Sequence, residues 1–134
     1  MKKKGILIIE DDANNLELER YLLNMAGFKV WEAVDGASGV ELAKLHKPDC
    51  IIMDARLPDM SGIDAAKILL QDECTSRIPV IFVTASVIGE YAEEIKSLDK
   101  AKCISKPINT RTFVNDVKKL LKTASVLLKR SSRI

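Results

Sequence analysis

The sequence predicts an α/β protein: a three-layer, doubly wound (βα)5 fold around one parallel five-stranded sheet in the order 2-1-3-4-5. Three observations carry this. Short apolar segments alternate with helical ones along the 134 residues, an alternation that implies right-handed crossovers and a parallel sheet covered on both faces. Three of the five strand segments are apolar throughout, as strands buried on both faces are. The other two are mixed, and placing them at the edges satisfies the order 2-1-3-4-5.

Gly5 to Ile9 is a continuous apolar strand. Ala13 to Ala26 follows as a helix, with Leu18, Tyr21, Leu22 and Met25 at i, i+3, i+4, i+7 spacing and Gly27 as its stop. Phe28 to Val34 is a weaker strand, interrupted by Lys29 and Glu32, and this mixed polarity marks an edge. Gly36 to His46 is helical and ends before Pro48; Cys50 to Met53 is the third strand. Gly62 to Leu70 is a helix with Ile63, Ala66 and Leu70 on one face, and Pro79 to Val83 is the fourth strand. A helix from about Val87 to Leu98 carries Ile88, Tyr91, Ala92 and Ile95 as its stripe. Ala101 to Ser105 is a short fifth strand. Asn109 can cap a last helix whose stripe of Phe113, Val117, Leu120 and Leu121 continues through Ala124 to Leu128. The expected division is one domain over residues 1–123 and a basic C-terminal helix extension or tail over 124–134.

A chain of this size buries about two-thirds of the surface its unfolded form exposes, so it folds without a metal or a disulfide. Composition is ordinary, with 47% hydrophobic and 30% charged residues, and no signal-peptide or membrane-length apolar run is present. The expectation is a soluble cytoplasmic protein. Cys50, Cys74 and Cys103 are odd in number and lack C-x-x-C spacing, which favours free thiols in a reducing compartment. The net charge of +2 conceals an acidic body: residues 5 to 117 hold all 19 acids against 12 bases. Lys2 to Lys4 and six bases from Lys118 to Arg133 restore the balance. An acidic body argues against direct nucleic-acid binding by the domain, because phosphate contacts need clustered Lys and Arg.

The proposed strand order brings the residues after strands one, three, four and five to one edge, where ligands bind in open α/β sheets. They are Glu10, Asp11 and Asp12; Asp54; Thr84 and Ala85; and Lys106 and Pro107. Clustered carboxylates repel unless something positive sits among them. A hard divalent cation answers this: Mg²⁺, or Mn²⁺ in its place, with Asp11 and Asp54 as ligands and Glu10 acting through water. Zinc is disfavoured, since the cluster has no His or Cys. A carboxylate beside such a cation, a lysine and a hydroxyl has the parts to accept a phosphoryl group. Asp54 is then the acceptor, Lys106 neutralises charge, Thr84 donates a hydrogen bond and the small Ala85 leaves room. Lone His46 reads as a helix-terminal cation.

Four motifs, in order and correctly spaced, resemble the receiver domains of two-component response regulators. They are Ile-Ile-Glu10-Asp11-Asp12, Met53-Asp54-x-x-Leu57-Pro58-x-Met60-Ser61-Gly62, Val83-Thr84-Ala85 and Ile104-Ser105-Lys106-Pro107, and the likeness covers about residues 4 to 123. It implies a flavodoxin-like fold and phosphorylation of Asp54 from a phosphohistidine on a histidine kinase or histidine phosphotransfer protein. It also implies Mg²⁺ held by Glu10, Asp11, Asp54 and the Arg56 backbone carbonyl, and a cis bond between Lys106 and Pro107. The side chain of Arg56 projects near the site, where it can pair with a phosphoryl group or hinder water.

Two positions depart from the family pattern. Cys103, three residues before Lys106, stands where receivers commonly carry an aromatic ring that follows the threonine, so the switch through Thr84 and Cys103 is expected to work differently. Asp99 stands where the family often has Gly before the fifth strand. The expected function is that of a single-domain response regulator, a phosphoacceptor rather than an enzyme proper, acting on an unknown downstream protein as a monomer or weak dimer. A receiver-like interaction module that works without phosphorylation is the alternative. An aspartate-nucleophile phosphohydrolase would carry its D-x-D after the first strand, and an FMN binder would have a Ser/Thr/Gly-rich loop there. Neither pattern is present.

Overall fold

Apolar side chains alternate between two faces along each central strand, and the two resulting layers of contact define the architecture. The computed structural model describes residues 3–85, 92–98 and 101–131. In chain order these form β1 (Gly5–Ile9), α1 (Ala13–Met25), β2 (Lys29–Ala33), α2 (Gly36–His46), β3 (Cys50–Asp54), α3 (Gly62–Leu70), β4 (Val80–Thr84), α4 (Ala92–Ser97), β5 (Ala101–Ser105) and α5 (Phe113–Ser131). The sheet is parallel throughout, in the order β2-β1-β3-β4-β5. This is the topology the apolar and mixed strands predicted.

Leu7, Ile9, Ile51, Met53 and Phe82 face one side and pack against Val40 and Ala43 of α2, Ile63 and Leu69 of α3 and Ile95 of α4. Their neighbours Ile6, Ile8, Ile52, Ile81 and Val83 face the other side and meet Leu23 of α1 and Phe113, Val117 and Leu120 of α5. Each fully buried side chain of this size contributes about 2 kcal/mol relative to leaving it exposed. Helix starts are fixed by side chains that accept from otherwise orphaned N–H groups. Asp12 accepts from Asn14 and Asn15, Asp35 from Ser38, and Ser61 from Asp64. Gly27, at φ +92°, turns the chain from α1 into β2.

The structure corrects two helix faces. On α1, Leu18, Tyr21 and Met25 are 37%, 60% and 72% exposed. The inward register is instead Leu16, Glu19, Leu22, Leu23 and Ala26. Both registers satisfy a 3.6-residue period, and the charge of Glu19 hid the true one. On α3, Leu69 is buried and Leu70 faces solvent, one position from the expected stripe. Strand limits also shift: Asp54 is the last residue of β3, and Thr84 closes β4 rather than following it. Asn109 accepts from the N–H of Arg111 at 2.9 Å and so caps the turn before α5, not the helix itself. The α5 backbone stays helical to Ser131. Ile88, Tyr91 and the Asp99 turn lie outside the described residues.

Candidate functional site

All five strands end at one edge of the sheet, and the last or following residues of β1, β3, β4 and β5 converge there. Glu10 follows β1 with 2% exposure, and its N–H donates to the Ala33 carbonyl at 3.0 Å. Asp11 stands exposed beside it, and Asp12 caps α1. Asp54 is half-buried at the tip of β3, where its Oδ1 accepts from the Arg56 N–H at 3.0 Å. Gly62 makes this tip possible: a Cβ there would sit 2.2 Å from the Asp54 carbonyl oxygen. Only glycine lets α3 begin so close to the strand end.

Lys106 spans the carboxylates. Its Nζ lies 2.8 Å from Glu10 Oε1 and 3.0 Å from Asp54 Oδ2. Its backbone N–H donates to the Thr84 carbonyl at 2.8 Å, tying the loop after β5 to the end of β4. The Lys106–Pro107 peptide is cis, as expected. Asp11, Asp12, Asn15, Asp54, Arg56, Thr84, Ala85 and Lys106 line a groove of about 400 Å³. Glu10 is buried next to Asp11 and Asp54, and Pro107 sits exposed beside Lys106. Cys103 is separate: half-buried, aligned with Phe82 in the β4–β5 pair, it packs on the core beneath α2, α3 and α4.

Burial pushes the Glu10 carboxyl up to about 7; the neighbouring Asp54 carboxylate adds to this and Lys106 opposes it. Burial alone would raise Asp54 as well, yet the adjacent Glu10 carboxyl and hydrogen bonds from the Arg56 N–H and Lys106 hold it below the usual carboxylate range. Burial works against the Lys106 ammonium, but its contacts with Glu10 and Asp54 outweigh that and raise it. The deep carboxyl of Glu10 and the groove-facing carboxyl of Asp54 are thus shifted in opposite directions.

Glu10, Asp11 and Asp54 each offer an oxygen within 4.8 Å of the others. Glu10 Oε2 is buried with no hydrogen-bond partner. An all-oxygen donor set with an orphaned buried oxygen fits a hard divalent cation. Two residues were not anticipated. Asn15 lines the groove from α1. Glu19, 2% exposed on the inner face of α1, is pushed up to about 8 by burial and by the negative charge of Glu10. Nothing in the sequence distinguishes Glu19 from a solvent-facing helix glutamate; only the register of α1 does.

This site, at the edge where a doubly wound sheet binds its ligands, goes with a family. The chain belongs to the response regulator receiver domain family, whose model matches residues 6–118. It is similar to the polar-differentiation response regulators DivK of Brucella anthropi and Brucella ovis, each 36% identical over 118 residues, 88% of this chain and 96% of the relative. Among solved structures, the receiver domain of sensor histidine kinase PA1611 from Pseudomonas aeruginosa, with a magnesium ion coordinated in its active site cleft, superposes with a TM-score of 0.83. It is 25% identical and the match covers 90% of this chain and 99% of that one. A putative response regulator from Chloroflexus aurantiacus gives 0.81 at 27% identity, over 90% and 99% of the two chains.

Proposed function

We propose that Asp54 accepts a phosphoryl group from a phosphohistidine on a histidine kinase or histidine phosphotransfer protein, and that the chain works as a single-domain response regulator. One observation carries this reading: Asp54, the Lys106 ammonium, Thr84 and an acidic cation cradle converge on one groove. An Asp54 carboxylate oxygen attacks phosphorus. The P–N bond breaks and its electron pair returns to the donor imidazole. Lys106 offsets charge on the phosphoryl oxygens, and Thr84 supplies a hydrogen bond to one of them. Mg²⁺ or Mn²⁺, held by Asp11, Asp54 and the Arg56 carbonyl with Glu10 through water, would supply further positive charge at those oxygens. The Arg56 side chain restrains water from the product, and Ala85 and Pro107 shape the groove.

The phosphodonor docks over α1. That helix starts in the groove with Asp12 and Asn15, and its exposed Leu18, Tyr21 and Met25 offer an apolar surface. The domain spans residues 1–123 with a basic extension after it, resides in the cytoplasm as a monomer or weak dimer, and passes the signal to a downstream protein without contacting nucleic acid itself. Among the described residues no helix is long and apolar enough to cross a membrane. Incubation with acetyl phosphate and Mg²⁺ should add one phosphoryl mass to the intact protein and none to Asp54→Ala. An unchanged mass in the parent would favour a phosphorylation-independent interaction module.

The signal leaves by Thr84. On β5 the small thiol of Cys103 offers no ring to follow it, so the output surface responds with smaller displacements than an aromatic switch gives. Amide chemical shifts with and without beryllofluoride test this. Changes should centre on Thr84 and Lys106 and fade by Cys103; large changes around Cys103 would contradict it.

A further inference from the structure

The opposite edge of the sheet, where the strands begin, carries a second groove of about 590 Å³, larger than the one at Asp54. Its lining includes Lys3, Lys4, Lys29, Lys47, His46 and Trp31. In a body whose residues 5 to 117 hold 19 acids against 12 bases, four lysines meet here with one carboxylate, Asp49. Asp49 is already engaged: its Oδ2 accepts from the Gly5 N–H at 2.8 Å, and its Oδ1 lies 3.9 Å from Lys4 Nζ. Among the described residues, Lys4 alone of the four has an acidic partner. Converged like charges cost free energy unless an anion offsets them.

The floor is rigid and aromatic. Trp31 lies so close over Gly5 that a Cβ there would fall 2.3 Å from its ring. His46 stacks on Trp31 at 4.6 Å with the planes 13° apart, and Lys29 Nζ sits 5.3 Å from the ring centroid. His46 itself is exposed, so a planar group can lie against its outer face. Lys47 ends α2 in the left-handed region, at φ 48°, a conformation that glycine or asparagine adopts more readily. Helix-end basicity accounts for His46 and Lys47. It does not account for Lys3, Lys4 and Lys29, which belong to the β1 and β2 ends.

We propose that this groove binds a condensed phosphate, the di- or triphosphate group of a nucleotide or an inorganic polyphosphate, with the lysines as its counter-ions. The site is separate from the phosphoacceptor groove and does not depend on the function assigned there. Trp31 is the chain's one tryptophan, so its emission reports on the groove directly. Titration of the full chain with ATP and with tripolyphosphate, without divalent cation, by emission and by calorimetry, is the test. At least one probe should bind saturably. Binding should weaken about tenfold or more in Lys29→Glu/Lys47→Glu, since each ionic hydrogen bond lost is worth that order, and stay unchanged in Lys119→Glu. Tighter binding of ATP, lost in His46→Ala, identifies a nucleotide; equal affinities identify the polyphosphate alone. Absence of saturable heat for both probes, or equal weakening in Lys119→Glu, would overturn the proposal.

Discussion

Glu19→Leu should stabilise the fold, and by more at pH 8 than at pH 5. The wild-type carboxyl is almost fully buried on the inner face of α1 and is pushed from 4.5 to about 8 by burial, then by Glu10. In the unfolded chain it titrates near 4.5. Between those values the folded state holds a proton that the unfolded state has released. Its relative contribution is therefore fully present below about 4.5 and is lost as pH rises through about 8. A shift of this size corresponds to at most about 5 kcal/mol, and relaxation around the site reduces it to a gain of about 2 kcal/mol at pH 8. Leucine also adds apolar contact with Leu23 and its neighbours. Urea unfolding at the two pH values measures the difference. A destabilised variant at pH 8, or the same gain at both, would show that Glu19 is not an ionisable burden on the core.

Lys106→Ala should slow phosphoryl uptake from acetyl phosphate by about 10²-fold, the usual effect of removing one preorganised donor from a developing anion. The same change leaves Glu10 and Asp54 without the ammonium now 2.8 and 3.0 Å from them. Asp54 loses one of the contacts holding it below the usual range, so its carboxyl rises. The variant should thus lose stability above the range where that carboxyl ionises, and regain much of it when Mg²⁺ is added, because a divalent cation can replace the lost charge. Uptake kinetics with and without Lys106, and melting points at several Mg²⁺ concentrations, check both parts. An unchanged uptake rate would remove Lys106 from the chemistry.

The contrast between Lys106 and Glu19 shows what the chain reveals before it is folded. Lys106 was legible because it sits in a short motif after the fifth strand, and strand order carries it to the edge where Asp54 stands. The same holds for Glu10, Asp11, Thr84 and Ala85, each at the tip of an apolar strand or within two residues of it. Their positions depend on topology, which the polarity of whole strands settles. Glu19 depends on the rotation of one helix. On α1, the set Leu18, Tyr21, Leu22 and Met25 competes with Leu16, Leu22, Leu23 and Ala26, and periodicity cannot choose between them. Packing of Leu23 against Ile6 and Phe113 decides, and it carries Glu19 inward. The Trp31–His46 stack was hidden for a similar reason: the two residues lie on different elements, and only the approach of the α2 end to β2 brings them together.

The most direct measurement of the central claim is the location of the phosphoryl group itself. After exposure to acetyl phosphate and Mg²⁺, borohydride reduction converts an aspartyl phosphate into homoserine, which peptide mass spectrometry can place. The account predicts homoserine at position 54 and nowhere else among the site's acids. Homoserine at Asp11 or Asp12, or its absence from a protein that has gained phosphoryl mass, would contradict it.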